Sequence, residues 1–380
     1  MIYLDNAATT FPKSESVYQA LDVANRELAF NAGRSSYKNS RKATELIDAT
    51  KNQILKLIAA PDNATVVFTP SITVALNEIL QGIEFMENDN IYLSPYEHNA
   101  VARTIHLLET KKHINVIEMP LKCETLEIDT DKLKYMFVSY PPKCVCCTHI
   151  SNVTGYILPI KEIFSAAEKY DAVTVLDTAQ SLGIEAICSK ELNISFLAFA
   201  GHKALYGPMG IGGFVDFKRD KLQEVIVGGT GSNSLSLDMP KESPYKYEPS
   251  SCNIVAVAGL HAALDEVDIE KNEKIEKELL EYLIEGLSVI DGVEMYTPVG
   301  CNYKSIVSIN LRNYKADDVA SILDQDFDIA VRAGYHCAPL IHKWIKDEKY
   351  LGTVRISIGK FNRKNDIEEI VKAIKELCEE

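Results

Sequence analysis

Apolar residues along the chain follow two alternating patterns, and each pattern predicts one kind of secondary structure. Short, continuous apolar runs are typical of buried strands, whereas apolar residues at helical spacing are typical of helices that bury one face. The predicted strands cover residues 66–68, 91–93, 115–119, 137–138, 145–149, 173–177, 196–199 and 211–215. The predicted helices cover residues 14–30, 43–59, 74–80, 101–108 and 160–170. Strands that alternate with helices indicate a mostly parallel sheet covered on both faces.

The pattern changes near residue 230. Residues 230–251 show little apolar periodicity and are rich in Gly, Ser and Pro, which predicts a long loop or a domain boundary. Beyond it, residues 255–287 predict a long helical stretch. A smaller α/β pattern follows, with predicted strands at 306–310 and 353–358 and predicted helices at 316–323 and 366–377.

These patterns predict an α/β protein with a large domain and a smaller C-terminal α/β domain. Residues 15–250 are expected to form the large domain, and residues 251–380 a connecting helix and the small domain. Residues 1–14 are expected to form an N-terminal segment that packs on the small domain. A chain of 380 residues is long enough for such an arrangement.

Composition and charge narrow the classes of function. Apolar residues make up 46% of the chain and charged residues 25%, as in ordinary globular proteins. A net charge of −14 without a local basic patch argues against direct binding of nucleic acid. The N-terminus lacks the layout of a signal peptide, and no apolar run approaches the roughly 20 residues of a membrane helix. We therefore expect no membrane association and a cytoplasmic location.

The nine cysteines are odd in number and irregular in spacing, which does not indicate a disulfide framework. Cys144, Cys146 and Cys147 lie close together and suggest two alternatives, a metal site or a buried strand. Their apolar surroundings favour the strand, since free cysteine commonly behaves as a small core residue. No second cysteine pair has ligand spacing, so we expect no metal.

Three predicted strands end in polar residues that suit a single ligand, because ligands of open parallel sheets bind beyond the carboxyl ends of the strands. The first strand, at 66–68, is followed by Thr69-Pro70-Ser71-Ile72-Thr73 and then by a helix, whose N-terminus favours an anion. The hydroxyl of Thr73 can add a donor, although a threonine at such a position is also an ordinary helix cap.

The other two strand ends carry a carboxylate and an amine. Asp177 ends the strand at 173–177 and needs a cationic or N–H partner if it is buried, such as a ring nitrogen that protonates. Capping of the next helix is the alternative. Lys203 follows the strand at 196–199 and precedes a Gly-rich turn. A lysine beside a ligand crevice can have a lowered pKa, which Schiff-base formation requires, whereas a lone loop lysine is usually a solvated charge.

The order of the motifs resembles a known family. A phosphate-type turn, EHN, SNVTG, DTAQ and GHK follow one another as in the class V aminotransferase family of pyridoxal-phosphate (PLP) enzymes. Within that family the chain is most similar to cysteine desulfurases with a short RxGxHCA motif. The similarity runs from YLDNAATT at 3–10 to GTVRISIGKFN at 352–362. It implies the type I fold of PLP-dependent transferases, with a mainly parallel seven-stranded sheet in the large domain.

The resemblance also implies a role for each matching residue. Lys203 would hold PLP covalently, Asp177 would pair with the pyridine nitrogen, and His98 would stack on the ring and take part in proton transfer. The phenolic oxygen would be bound by Asn152 and Gln180, and the phosphate by Thr73, the Ile72 backbone and His202. Ser251 matches a position that reaches the phosphate of the neighbouring subunit, which implies a homodimer. Arg355 would bind the substrate carboxylate.

The motif VRAGYHCAPL indicates which PLP reaction to expect. Removal of sulfur from L-cysteine needs a thiolate that attacks the substrate sulfur and leaves as a persulfide. Cys337 is the candidate, and Arg332 and His336 are cations or potential cations near it in sequence. Arg332 is also a candidate for substrate binding. Alanine would be the product, and the sulfur would pass to an acceptor, which we expect to be a protein.

Other reactions stay open at this stage, because the fold also hosts transaminases and other lyases. Selenocysteine or a modified cysteine could replace cysteine as the substrate, and a non-catalytic scaffold with the same fold is a further alternative. Iron–sulfur cluster assembly, thio-modification of RNA and sulfuration of a cofactor are possible destinations of the sulfur.

Overall fold

The computed structural model describes residues 1–33, 37–218, 221–231, 235–297 and 302–379. The strands in these ranges are β1 (Ile2–Tyr3), β2 (Thr65–Thr69), β3 (Asn90–Leu93), β4 (Asn115–Glu118), β5 (Pro142–Thr148), β6 (Val173–Asp177), β7 (Phe196–Ala200), β8 (Gly212–Asp216), β9 (Val293–Met295), β10 (Ile306–Leu311), β11 (Ile329–Ala330), β12 (Arg332–Gly334) and β13 (Thr353–Ser357).

The α-helices in the same ranges are α1 (Glu15–Val23), α2 (Lys38–Leu57), α3 (Ile72–Gly82), α4 (Asn99–Lys112), α5 (Thr130–Ser139), α6 (Ile160–Glu168), α7 (Ile254–Asp265), α8 (Ile269–Ser288), α9 (Ala316–Phe327), α10 (His342–Ile345) and α11 (Lys364–Glu379). A π-helical turn at Ala24–Leu28 continues α1, and 3₁₀ turns lie at Ser189–Glu191 and Glu348–Tyr350. None of these helices is both long enough and apolar enough to span a membrane.

The large sheet has seven strands in the order β2-β8-β7-β6-β5-β3-β4. Neighbouring strands run parallel except at β8, which is antiparallel to both β2 and β7. The prediction of a mainly parallel seven-stranded sheet is therefore confirmed. Since β5, β6 and β7 are parallel neighbours, their carboxyl ends meet at one edge of the sheet.

Both faces of the sheet are buried, as expected when helices cover a parallel sheet. Strand β5 illustrates this, because its side chains alternate between two hydrophobic clusters. Val145 and Cys147 belong to one cluster, whereas Cys144 and Cys146 belong to the other. The predicted buried strand is thus observed. Within the described ranges, no group of His, Cys, Asp or Glu side chains could hold a metal ion.

The C-terminal part contains an antiparallel sheet in the order β12-β13-β10-β9 and its own hydrophobic cluster. The start of the chain joins this part, because β1 pairs in parallel with β11. Helix α7 packs on α1 and α2, and α8 packs on α11. We propose the predicted domain limits, 15–250 and 251–380 with residues 1–14 on the small domain, as the division of the chain.

Two sequence-based predictions of secondary structure were wrong. Residues 137–138 lie in helix α5, not in a strand, because Leu133 and Phe137 bury one face of a helix while Val138 is exposed. The side chain of Asp129 caps this helix by accepting the N–H of Lys132 at 2.9 Å.

The prediction of one continuous helical stretch over residues 255–287 was also wrong. It is two helices, α7 and α8, with residues 266–268 between them. Asp268 begins the second helix as its N-cap and accepts the N–H of Lys271 at 3.1 Å. Strands β1, β9, β11 and β12 were not predicted, since elements this short carry little periodicity.

Gly155 offers a test of how closely the two parts of the chain pack. A Cβ atom there would lie 2.4 Å from the carbonyl oxygen of Lys304 and 2.6 Å from that of Ile306. We predict that Gly155→Ala lowers the free energy of unfolding by about 3 kcal/mol or more, through overpacking and an unfavourable φ. Gly33→Ala is the matched control, since Gly33 has the same φ of +72° and nothing within 4 Å of the added atom.

We expect the control to cost only about 1–2 kcal/mol, the usual penalty for a left-handed non-glycine residue. Denaturant unfolding of both variants measures the difference. Equal losses in the two variants would show that the close approach at Gly155 does not contribute.

Candidate active site

Residues from three neighbouring strands of the large sheet meet at its carboxyl edge. Asp177 is the last residue of β6, Lys203 follows β7, and Asn152 follows β5. The charge of Asp177 raises the pKa of Lys203, so the two groups act on each other electrostatically. The topology thus brings together three residues that are far apart in the sequence.

The amine of Lys203 is the basic group of the site. Burial is the largest of the effects that lower its pKa to about 8, and the charges of Arg355 and Arg332 lower it further. Asp177 and Cys337 act in the opposite direction. A lysine in this state is partly neutral near physiological pH and can act as a nucleophile or base.

The carboxyl group of Asp177 is buried at the end of β6. Its Oδ1 accepts the N–H of Ala179 at 2.8 Å. Burial raises its pKa, whereas the hydrogen bond from Ala179 and the charge of Lys203 lower it. A cationic N–H placed at this carboxylate would add a partner and offset part of the cost of burial.

Glu97 is a buried acid near Asp177 that the sequence analysis missed. Its Oε1 accepts hydrogen bonds from the hydroxyl of Ser94 at 2.5 Å and from the N–H of Thr148 at 2.6 Å. Burial raises its pKa to about 8, and the charge of Asp177 adds to this. Its position within the EHN motif, directly before His98, is the signal that could have identified it.

Two histidines line the site in the neutral state. Burial and nearby cations, Lys203 first among them, lower the pKa of both His98 and His202 to about 4. The Nδ1 of His98 accepts the N–H of Ala100 at 3.0 Å, so its proton lies on Nε2. The Nδ1 of His202 is buried and has no hydrogen-bond partner among the described residues.

Arg355 projects from the small sheet and is 1% exposed. Its Nη2 lies 2.7 Å from Oδ1 of Asp5, and its Nη1 donates to the carbonyl oxygen of Asn152 at 2.9 Å. Its Nε is buried and has no partner within the described part of the chain. Arg355 therefore joins the N-terminal segment, the large domain and the small domain. Asp5 was not among the predicted site residues.

Cys337 lies on a loop with unusual backbone geometry. His336 and Cys337 both have positive φ, at 46° and 58°. The Nη2 of Arg332 lies 3.5 Å from the sulfur of Cys337. The carbonyl oxygen of Cys337 accepts the N–H of Asn99 at 2.6 Å, so the loop is tied to the residue after His98. The amide of Asn152 donates to the His336 carbonyl oxygen at 2.7 Å.

The remaining predicted residues make the following contacts. The amide of Gln180 donates to the carbonyl oxygen of Ala7 at 2.8 Å. Ile72 is buried and begins α3, where N–H groups of the first turn have no acceptor within the helix. The side chains of Thr73 and Ser251 are exposed in the single chain.

Comparison with known proteins identifies the family of the chain that carries this site. The aminotransferase class-V model matches residues 2–370. A probable cysteine desulfurase from Halalkalibacterium halodurans is 32% identical, with 100% of this chain and 93% of the relative covered. The cysteine desulfurase CsdA of Escherichia coli is 28% identical, with 100% and 94% covered. The apo structure of a cysteine desulfurase from Thermococcus onnurineus NA1 superposes with a TM-score of 0.92 at 29% identity, covering 100% of this chain and 94% of that one.

The chain belongs to the aminotransferase class-V family, as its motifs predicted. Enzymes of this family depend on PLP. The site has the donors and acceptors that PLP requires, which are an amine, a buried carboxylate, a neutral imidazole and anion-binding N–H groups. The buried Nδ1 of His202, which lacks a partner among the described residues, is a further polar atom that a bound phosphate group could satisfy.

The pKa of Lys203 can be tested without any cofactor. We predict that reductive methylation of Lys203 by formaldehyde and cyanoborohydride rises with pH through a midpoint near pH 8 in the cofactor-free protein, because burial lowers the pKa to about 8. In Asp177→Asn the midpoint should fall further, since the carboxylate that favours the charged amine is lost. Peptide mass spectrometry across a pH series measures the extent of methylation.

Asp131→Asn serves as the control, because Asp131 pairs with Lys134 on the exposed surface of α5. The midpoint pH for methylation of Lys203 in this variant should equal that in the protein without substitutions. A midpoint above pH 10 in the unmodified protein, or an upward change in Asp177→Asn, would contradict this account of the site.

Proposed function

We infer that this chain is a PLP-dependent cysteine desulfurase that converts L-cysteine to L-alanine and receives the sulfur on Cys337. One observation carries the inference, the placement of the Cys337 thiol beside Arg332 in the same group of charges as Lys203 and Arg355. The comparisons confirm the enzyme class predicted from the sequence, because relatives matched over the full chain are cysteine desulfurases.

The cofactor would be held by residues on the carboxyl edge of the large sheet. Lys203 would bind it covalently, and Asp177 would pair with its ring nitrogen. The other proposed contacts are His98 on the ring face, Asn152 and Gln180 at the phenolic oxygen, and His202, Thr73 and the Ile72 backbone at the phosphate. When bound, PLP supplies an electron sink that weakens bonds at the substrate carbon next to the amino group.

Lys203 and His98 are the groups placed to move protons. The pKa of Lys203, lowered to about 8, lets its amine accept a proton from the substrate α-carbon and return one later. His98 is neutral because burial and nearby cations lower its pKa to about 4. Its Nε2 therefore carries the proton that it can donate.

Arg355 would bind the substrate carboxylate. Two of its nitrogens are already held by Asp5 and by the carbonyl oxygen of Asn152, so the guanidinium plane has a fixed orientation. Its buried Nε has no partner in the part of the chain that the structure describes, and a ligand carboxylate could accept this hydrogen bond. Arginine suits this task because its planar donors match a carboxylate.

Cys337 would take the sulfur. Its thiolate attacks the sulfur of the substrate, a new S–S bond forms, and the bond between that sulfur and the substrate β-carbon breaks. The electron pair of the broken bond stays with the carbon, which is protonated, so cysteine plus the Cys337 thiol gives alanine plus a Cys337 persulfide. The Nη2 of Arg332 lies 3.5 Å from the Cys337 sulfur. We propose that the persulfide sulfur then passes to an acceptor protein.

A second copy of the chain would complete the assembly. Three apolar side chains in the segment 227–237 are strongly exposed, Val227 at 70%, Leu235 at 99% and Leu237 at 104%. Such a patch on a single chain is typical of a protein interface. Ser251 follows this segment and is exposed, which supports a homodimer in which Ser251 contributes to the phosphate site of the partner.

Replacing Cys337 tests the proposed activity directly. We predict that Cys337→Ser abolishes alanine formation from L-cysteine, because serine cannot accept the sulfur, while the absorbance of bound PLP remains. The matched control is Cys123→Ser, since Cys123 is exposed and lies outside the site. Alanine release and the mass of the peptide containing residue 337 are the measurements. Wild-type alanine release from Cys337→Ser would exclude this role for Cys337.

Arg355→Lys tests substrate binding. We predict that KM for L-cysteine rises by roughly 10- to 100-fold, because a charge-assisted bond contributes about 1.5–3 kcal/mol and lysine cannot reproduce the planar donors. Arg312→Lys is the control, as Arg312 pairs with Asp291 on the surface. Steady-state kinetics of both variants give the comparison. An unchanged KM in Arg355→Lys would assign the carboxylate to another group.

A further inference from the structure

A buried histidine–aspartate pair lies behind the loop that carries Cys337, and none of the steps above uses it. His342 is 5% exposed and Asp347 is 0% exposed. The Nδ1 of His342 lies 2.5 Å from Oδ2 of Asp347, and its Nε2 lies 3.0 Å from the carbonyl oxygen of Tyr335. A carbonyl oxygen only accepts hydrogen bonds, so Nε2 carries a proton and donates it to Tyr335.

The loop is held by three consecutive carbonyl oxygens, each bonded to a donor from a different part of the chain. In order, these pairs are Tyr335 with Nε2 of His342, His336 with Nδ2 of Asn152 and Cys337 with the N–H of Asn99, at 3.0, 2.7 and 2.6 Å. Two of the donors come from residues before 153. The third, His342, follows the loop directly. The carbonyl oxygen of Tyr335 also accepts the N–H of Ala338 at 3.0 Å, within the loop itself.

The conformation of the loop explains why such restraint is needed. His336 and Cys337 both have left-handed φ values, which are unfavourable for residues with a Cβ atom. Strained conformations of this kind persist only where the surroundings hold them. Loss of one of the three donors should therefore let the loop relax and move the Cys337 sulfur away from Arg332.

Asp347 fixes the orientation of the imidazole ring of His342. Its Oδ2 lies at the Nδ1 of the ring, while the Nε2 donates to the carbonyl oxygen of Tyr335. The pair thus holds the ring in one orientation and on one side of the loop. The ring of His342 also packs edge-on against that of Tyr335, with centroids 5.0 Å apart.

We propose that His342 is a positioning residue for the nucleophile, oriented by Asp347, and that it acts through the backbone of residues 335–337. The proposal rests on the proposed function, since the position of Cys337 affects turnover only if that thiol receives sulfur. His342 is not among the residues proposed to bind the substrate or the cofactor. It should affect the sulfur-transfer step and leave the binding of L-cysteine unchanged.

The test compares His342→Ala with His342→Gln, which keeps an N–H donor, in the PLP-loaded enzyme. Deuterium exchange should rise in His342→Ala within peptides covering residues 334–340 and the N–H of Asn99, because local opening exposes those groups. Single-turnover alanine formation should fall by roughly 10- to 100-fold, as expected when a reacting atom is misplaced. The absorbance change on binding L-cysteine should keep its concentration dependence, and His342→Gln should recover part of both losses.

His106→Ala is the matched control, because His106 pairs with Glu109 at 3.2 Å on the exposed surface of α4. It should change neither readout. Unchanged exchange at residues 334–340 in His342→Ala, or a rise spread evenly over the C-terminal part, would overturn the positioning role. If the unmodified protein forms no persulfide, the proposed function fails, and the exchange comparison still decides whether His342 holds the loop.

Discussion

The partial burial of the Lys203 amine among one carboxylate and two guanidinium groups is the constraint on which the rest of the site depends. Burial and the two arginines lower the pKa of the amine to about 8, and Asp177 keeps it from falling further. Asp177 and Lys203 come from neighbouring strands of the large sheet, whereas both arginines come from the small sheet. The reactive state of this lysine therefore requires both parts of the chain.

The junction of these parts carries its own electrostatic requirement. Arg355 is almost fully buried, and an unpaired charge in such a place would be strongly destabilising. Asp5 supplies the compensating charge and the Asn152 carbonyl oxygen supplies a second acceptor. The pairing of β1 with β11 brings Asp5 to this position. The N-terminal segment thus holds the guanidinium group of Arg355 in place through Asp5.

The loop that carries Cys337 combines backbone strain with restraint at the same junction. Its two left-handed residues place the Cys337 sulfur beside Arg332. Hydrogen bonds from Asn99 and Asn152 hold the loop against the large sheet and the start of α4, and a hydrogen bond from His342 holds it to the C-terminal part. A conformation held from both sides can keep a thiol in position while its neighbours bind a substrate.

The sequence by itself determined the long elements and the strand-end residues. Regular apolar patterns predict β6 and β7, and parallel strands bring residues at their ends together, which is why Asp177 and Lys203 could be predicted. Asn152 was predicted only from the resemblance of the SNVTG motif to the family. The apolar run at 137–138 is too short to distinguish a strand from a helix. The residues form helix α5 because this helix buries Leu133 together with Phe137. Tertiary structure alone paired Asp5 with Arg355, 350 residues apart, and set His342 behind Cys337. No local pattern encodes such contacts, because their energy depends on burial and on partners that only the folded chain brings within hydrogen-bond distance.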